Sequence, residues 1–298
     1  MSLYSQIDSN KRRTIFIMAF FIAFITSLAY ILGQASGYGL SWAGMALIIS
    51  GIFTIGSFYW SDKLVLTISG AHPILEKDNP LLFRTVENLC IGAGLPMPKI
   101  YVINDSAPNA FATGRDSKHA VICVTAGLLE KLEKLELEGV IAHELSHVKN
   151  YDTRLMGIVA VLVGMVAFLA DWFMRSLWWG GRGDREEKGN IQAIFVILGV
   201  IFAILSPFIA TLIQLAISRR REFLADASGV LLTRYPEGLA SALEKIAKDR
   251  EVLEVATNAT AHLYIVNPFK GKDFSAWFAG LFNTHPPVEE RIKILRVM

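Results

Sequence analysis

The stretch Val140-Ile141-Ala142-His143-Glu144-Leu145-Ser146-His147-Val148 holds the residues whose types and spacing point most directly to chemistry. Its core is His-Glu-x-x-His. On a helix, positions i and i+4 lie one turn apart on the same face, so His143 and His147 reach a single metal ion together. Zn²⁺ suits imidazole nitrogens, and a catalytic zinc keeps one coordination position open for water. Glu144, next to the first ligand, is placed to take a proton from that water. Val140, Ile141, Leu145 and Val148 surround the histidines with apolar side chains, as in a buried helix with one polar stripe.

Two histidines do not make a tight zinc site, so a third ligand is needed. His72, His119, His262 and His285 remain in the chain, and Arg221-Glu222-Phe223-Leu224-Ala225-Asp226 offers carboxylates. If that stretch is helical, Glu222 and Asp226 share a face at i and i+4. One carboxylate then binds metal while the other accepts the free ring N–H of a ligand histidine, fixing its tautomer. A solvated acidic pair balancing Arg219, Arg220 and Arg221 has the same spacing. Spacing alone leaves the choice open.

These groups must be positioned by a chain of unusual composition. Of its 298 residues, 53% are hydrophobic and 19% charged, with a mean hydropathy of +0.42, too apolar for an average soluble domain. Four apolar runs account for the bias, over 14–32, 40–60, 155–174 and 191–217. The first is long enough to cross a bilayer, longer than a signal-peptide core, and followed almost at once by the second. Lys11-Arg12-Arg13 before the first run and Arg219-Arg220-Arg221 after the fourth belong on the cytoplasmic side. Four spans put both there, together with the soluble segment between the second and third runs. The loop with Arg175, Arg182, Arg185 and Lys188 is less clean, although Asp184, Glu186 and Glu187 accompany those charges.

The resulting division is a membrane hairpin over 1–60 and a cytosolic catalytic part with the His-Glu-x-x-His helix over 61–153. A second membrane pair over 154–217 and a cytosolic part with the third ligand over 218–298 complete it. Within the first soluble part, 99–104 and 119–125 read as strands of a small sheet with Asn109 to Gly114 between them. The stretch 72–80 reads as a connector, and 81–94 as a helix. Residues 128–137 have helical spacing, and Gly139 either separates them from the histidine helix or permits close packing. Residues 239–246 and 288–295 read as amphipathic helices. Cys90 and Cys123 lie outside any C-x-x-C, which argues against a disulfide scaffold and for a reducing compartment. A net charge of +2 makes no case for nucleic acid.

His143-Glu144-Leu145-Ser146-His147, Glu222-x-x-x-Asp226, Asn109-Ala110-Phe111-Ala112-x-Gly114 and Thr284-His285-Pro286-Pro287-x-x-x-Arg291 occur in one chain around the four runs. In this combination the chain resembles the HtpX-type membrane zinc endopeptidases, relatives of the CAAX prenyl proteases, over nearly its whole length. The resemblance implies an α+β fold: a mainly helical, zincin-like metalloprotease domain with a small β-sheet, plus four transmembrane helices. It implies one zinc ion per chain held by His143, His147 and Glu222, with Glu144 as base and Asp226 holding a ligand histidine. It also implies that Asn109, Ala110, Phe111 and Ala112 form an edge strand for extended polypeptide, here misfolded or damaged membrane proteins. His285, ahead of two prolines, is an oxyanion candidate or a structural histidine; Arg291 reads as an ion-pair partner.

Three rivals are weighed against this. An intramembrane metalloprotease carries its motif inside an apolar span, whereas Lys131, Glu133, Lys134, Glu136, Glu138, Lys149 and Asp152 flank this one. A CAAX prenyl protease has similar ligands but more spans. The non-enzymatic rival is a polytopic scaffold or transporter with a regulatory metal site, which would not cleave an unstructured protein such as casein.

Overall fold

The computed structural model describes residues 3–35, 40–164, 219–257, 260–266, 268 and 286–298. Two long helices open the chain, α1 (Leu3–Ala35) and α2 (Leu40–Ile68), packed against each other. Along α2 the buried row is Ser50, Thr54, Ser57 and Ser61, while Ile48, Ile52, Phe53, Ile55, Tyr59 and Trp60 face outward. The hydroxyls of Ser50, Thr54 and Ser57 donate to carbonyls of their own helix. Small polar residues inside and large apolar ones outside is the reverse of a soluble helix, and suits packing in lipid. Among the described residues, Gly44–Ile68 is the one stretch of helix long and apolar enough to cross a membrane. The third apolar run begins as a helix, α6, over 152–164. Its remainder, the charged loop after it and the whole fourth run lie outside the described residues, so the count of four spans stays a reading of the sequence.

A four-stranded mixed sheet follows the hairpin, in the order β1-β2-β4-β3. β2 (Lys99–Ile103) and β4 (Val121–Thr125) are parallel, and β3 (Ala110–Thr113) runs antiparallel to β4 with Phe111 opposite Cys123. The expected connector at 72–80 starts instead as β1 (His72–Pro73), antiparallel to Val102 and Tyr101. Pro73 lacks an N–H, which an edge strand tolerates. Helix α3 (Pro80–Ala93) starts where the Asn79 side chain accepts from Leu82 N and ends at Gly94, whose φ of 67° favours glycine. Its apolar face, Leu82, Val86, Leu89 and Cys90, joins the core beneath the sheet.

The stretch 128–137 is not one helix. α4 (Ala126–Lys131) stops at Leu132, and α5 (Lys134–Lys149) restarts after Glu133, both residues being extended. A reciprocal capping box between Glu133 and Glu136 fixes the new start, well before Gly139. α5 then runs buried from Leu137 to Val148 with the partial exception of Glu138. α3, β3, α7 (Arg219–Thr233) and α8 (Pro236–Lys248) pack around it, and α9 (Val288–Leu295) lies against α7 and α8. Gly139 serves the close-packing role: a Cβ there would stand 2.6 Å from Leu239 N and 2.8 Å from its Cα. Helices dominate and the sheet is small, as the expected α+β class requires.

Candidate active site

His143 and His147 sit on successive turns of α5 with their Nε2 atoms 3.2 Å apart. Glu222, in the first turn of α7, reaches between them: Oε2 lies 3.7 Å from His143 Nε2 and Oε1 3.5 Å from His147 Nε2. All three are buried, and their donor atoms lie within 4.8 Å of one another. Four ligands at zinc's usual bond lengths stand roughly 3.3–3.5 Å apart along the edges of a tetrahedron. Two imidazole nitrogens and a carboxylate at these separations are therefore a donor set that fits Zn²⁺. Gly229 lies against the α5 backbone at this point, where a Cβ would make a tight contact 3.2 Å from His143 N.

The other histidines lie elsewhere. His72 is exposed on β1, and His119 bonds Asp116 through Nδ1 at 2.7 Å. His262 Nε2 lies 3.1 Å from the Met156 carbonyl oxygen. His285, the oxyanion candidate, lies outside the described residues.

Each histidine of the pair has its Nδ1 on a carboxylate. His143 Nδ1 is 2.9 Å from Asp226 Oδ1, the carboxylate that the family resemblance implies beside a histidine of the pair. Arg291, fully buried, grips the same carboxylate with Nη2 at 2.6 Å and Nε at 2.9 Å, and donates Nη1 to the Ile265 carbonyl at 3.1 Å. Burial alone would raise the Asp226 carboxyl. The Arg291 charge and the bonds from His143 and Arg291 outweigh it and hold the group well below the usual carboxylate range. Arg291 thus has the ion-pair partner the sequence could not name.

His147 Nδ1 is 3.0 Å from Asp152 Oδ2. Burial works against the charged ring, but this bond and the carboxylates of Glu222, Asp152 and Glu144 prevail, pushing His147 up to about 9. The sequence reading treated Asp152 only as a flanking charge. Five residues beyond His147 on a continuous helix it would point away. Here Asn150 ends α5, Tyr151 takes φ 60°, and α6 starts at residue 152 turned back toward the ring.

Glu144 is buried on the same turn. Burial raises its carboxyl above the ordinary value and Glu222 adds to this, against the pull of His143, His147 and a bond from the Ala112 N–H. That bond also locates β3: among the described residues its one strand neighbour is β4, so Ala110–Thr113 is an edge strand, and Asn109 of the 109–112 stretch implied by the resemblance lies just before it. Asn109, Ala110, Phe111 and Ala112 are all buried, however. Ile265 N donates to the Ala110 carbonyl at 3.0 Å, and Asn109 Nδ2 to the Val266 carbonyl at 3.1 Å. Residues 265–266 therefore cover the Asn109–Ala110 end of the edge, and the Ala112 end meets Glu144.

A buried His-His-carboxylate cluster on a mostly helical fold, with a carboxyl acid beside the first histidine, defines a metallopeptidase type of site. The sequence profile of peptidase family M48 matches residues 76–298, and the chain belongs to that family. It is similar over its full length to curated proteins named "Protease HtpX homolog". The one from Dictyoglomus thermophilum is 46% identical, covering 100% of this chain and 95% of the relative. The one from Tropheryma whipplei strain Twist is 45% identical, covering 99% and 98%. Among solved structures, Ste24p of S. mikatae aligns with a TM-score of 0.51 and 18% identity over 98% of this chain and 67% of that one. At that identity the likeness speaks for the fold alone. The chain is a membrane-associated metalloprotease that acts on polypeptides, of a family that in general depends on zinc.

Proposed function

We propose that the chain is a zinc endopeptidase in which His143, His147 and Glu222 hold one zinc ion and Glu144 is the general base. The convergence of two buried imidazoles and a buried carboxylate, with donor atoms within 4.8 Å of one another, carries this reading. Bound zinc supplies Lewis acidity toward the scissile carbonyl and lowers the pKa of water. Glu144, whose burial strengthens its hold on a proton, takes one from the attacking water and returns it to the leaving amide nitrogen. Water's oxygen ends on the new carboxylate and both of its hydrogens on the leaving amine, which departs as an ammonium. Asp226 and Asp152 keep each imidazole presenting Nε2 to the metal.

The substrate is an extended polypeptide that lies along β3 at its Ala112 end and exchanges main-chain bonds with the strand there, taking over the Ala112 N–H that Glu144 holds in its absence. Main-chain bonding of that kind is largely indifferent to sequence. Indifference suits the clearance of misfolded or damaged membrane proteins, and the lipid-type outer face of α2 brings the site beside them. The soluble parts 61–153 and 218–298 form the catalytic unit, with 1–60 and 154–217 as its membrane pairs in the cytoplasmic membrane. The basic flanks of the first and fourth apolar runs support a cytosolic site.

The test uses full-length protein purified in detergent. Glu144→Gln is expected to keep its zinc and lose casein cleavage by about 10²–10⁴-fold. Chelation should stop wild-type cleavage and zinc restore it. Cleavage by the variant at the wild-type rate would remove Glu144 from the mechanism, and turnover confined to farnesylated peptide would replace this reading with a prenyl protease.

A further inference from the structure

Asn10 lies on α1, one residue before the basic triplet, and outside the 76–298 match to the family. It is buried. Its Nδ2 donates at 2.7 Å to Asp152 Oδ1 and at 2.8 Å to the Asn150 carbonyl oxygen. Its Oδ1 accepts from Arg221 Nη1 at 3.3 Å, and the same Nη1 lies 3.3 Å from Asp152 Oδ1. Both amide hydrogens and the amide oxygen are thus used, which also fixes which way round the side chain sits.

The amide therefore joins three things. It bridges the two residues on either side of Tyr151, the elbow with φ 60° where α5 turns into α6. A non-glycine residue in that region is held by its surroundings rather than by its own preference. It binds the Asp152 oxygen not used by His147, and it accepts from Arg221, the residue next to Glu222. We propose that Asn10 is a positioning residue of the metal centre, acting through Asp152 on His147. The hydrogen-bonded support behind the three metal-binding side chains is thus completed by α1, which carries the first apolar run.

This rests on His147 being a zinc ligand, so His147→Ala serves as its control: zinc retained there sinks the functional reading itself. The readout is zinc affinity of full-length protein in detergent, measured by competition with a chromogenic chelator. Asp152→Ala should weaken zinc by about 10–100-fold, as loss of a ligand's hydrogen-bond partner does. Asn10→Ala should weaken it by roughly tenfold, and the double variant should be no worse than Asp152→Ala alone, because the two lie on one path. Asn10→Asp keeps the shape but exchanges the donor for a carboxylate beside Asp152, and should lose at least as much affinity as Asn10→Ala. Zinc affinity within twofold of wild type in Asn10→Asp, or additive losses in the double variant, would overturn the proposal while leaving the zinc reading intact.

Discussion

His147 shows how neighbouring carboxylates, Asp152 foremost, govern the proton affinity of a buried imidazole. Its ring is pushed up to about 9, so at neutral pH the metal-free protein holds it protonated, and zinc must displace that proton. The sign follows directly. Below pH 9 each unit of acidification weakens zinc by about tenfold through this group, and at pH 7 binding releases roughly one proton from it. Calorimetric titration with zinc in buffers of different ionisation enthalpy counts that proton; a heat that does not change with buffer at pH 7 would contradict the assignment. Much of this site is legible at the scale of residues. His143, Glu144 and His147 declare themselves by spacing, whereas the shared helix face of Glu222 and Asp226 suits a solvated acidic pair equally well, and it is the family resemblance that singles them out. Asp152 does not, since it counts only because Tyr151 leaves the helical region, and no side-chain pattern announces that turn. Asn10 is less legible still, because 142 positions separate it from Asp152.

At the scale of elements, the site depends on how closely helices approach α5. Two glycines set those distances, Gly139 against α8 and Gly229 on α7 against His143. Gly139→Ala would push a methyl against the Leu239 backbone, which cannot rotate away as a side chain could. The expected cost is about 1–3 kcal/mol, and helix propensity offsets it by only about 1 kcal/mol. The unfolding midpoint of the detergent-solubilised protein should fall; an unchanged or higher midpoint would show that α8 shifts freely. Sequence periodicity finds these helices, but it does not find their contacts. The run 128–137 has helical spacing throughout, yet Glu133 and Glu136 cap a new start inside it. Periodicity counts apolar positions, whereas the break is made by main-chain donors that a carboxylate satisfies.

At the scale of the molecule, charge and apolar length are what the sequence states most clearly, and they lead to a test of sidedness. Asn10, just before Lys11-Arg12-Arg13, and Arg221, the last of the second basic triplet, meet at one carboxylate. The two basic flanks therefore lie on the same face as the metal cluster, which is what an even number of spans between them requires. If that face is cytosolic, Glu76→Cys, at an exposed position after α2, is protected from a membrane-impermeant maleimide in intact cells and labelled after lysis. Ser36→Cys, in the uncharged link between the first two apolar runs, is labelled in intact cells. The native cysteines do not interfere: Cys90 and Cys123 are both buried, and burial pushes the Cys90 thiol up to about 11, leaving little reactive thiolate at neutral pH. The reverse pattern would put the site outside the cell. Polypeptides would then reach it only after export, and the basic flanks would stand as an exception to the charge rule that predicted the topology.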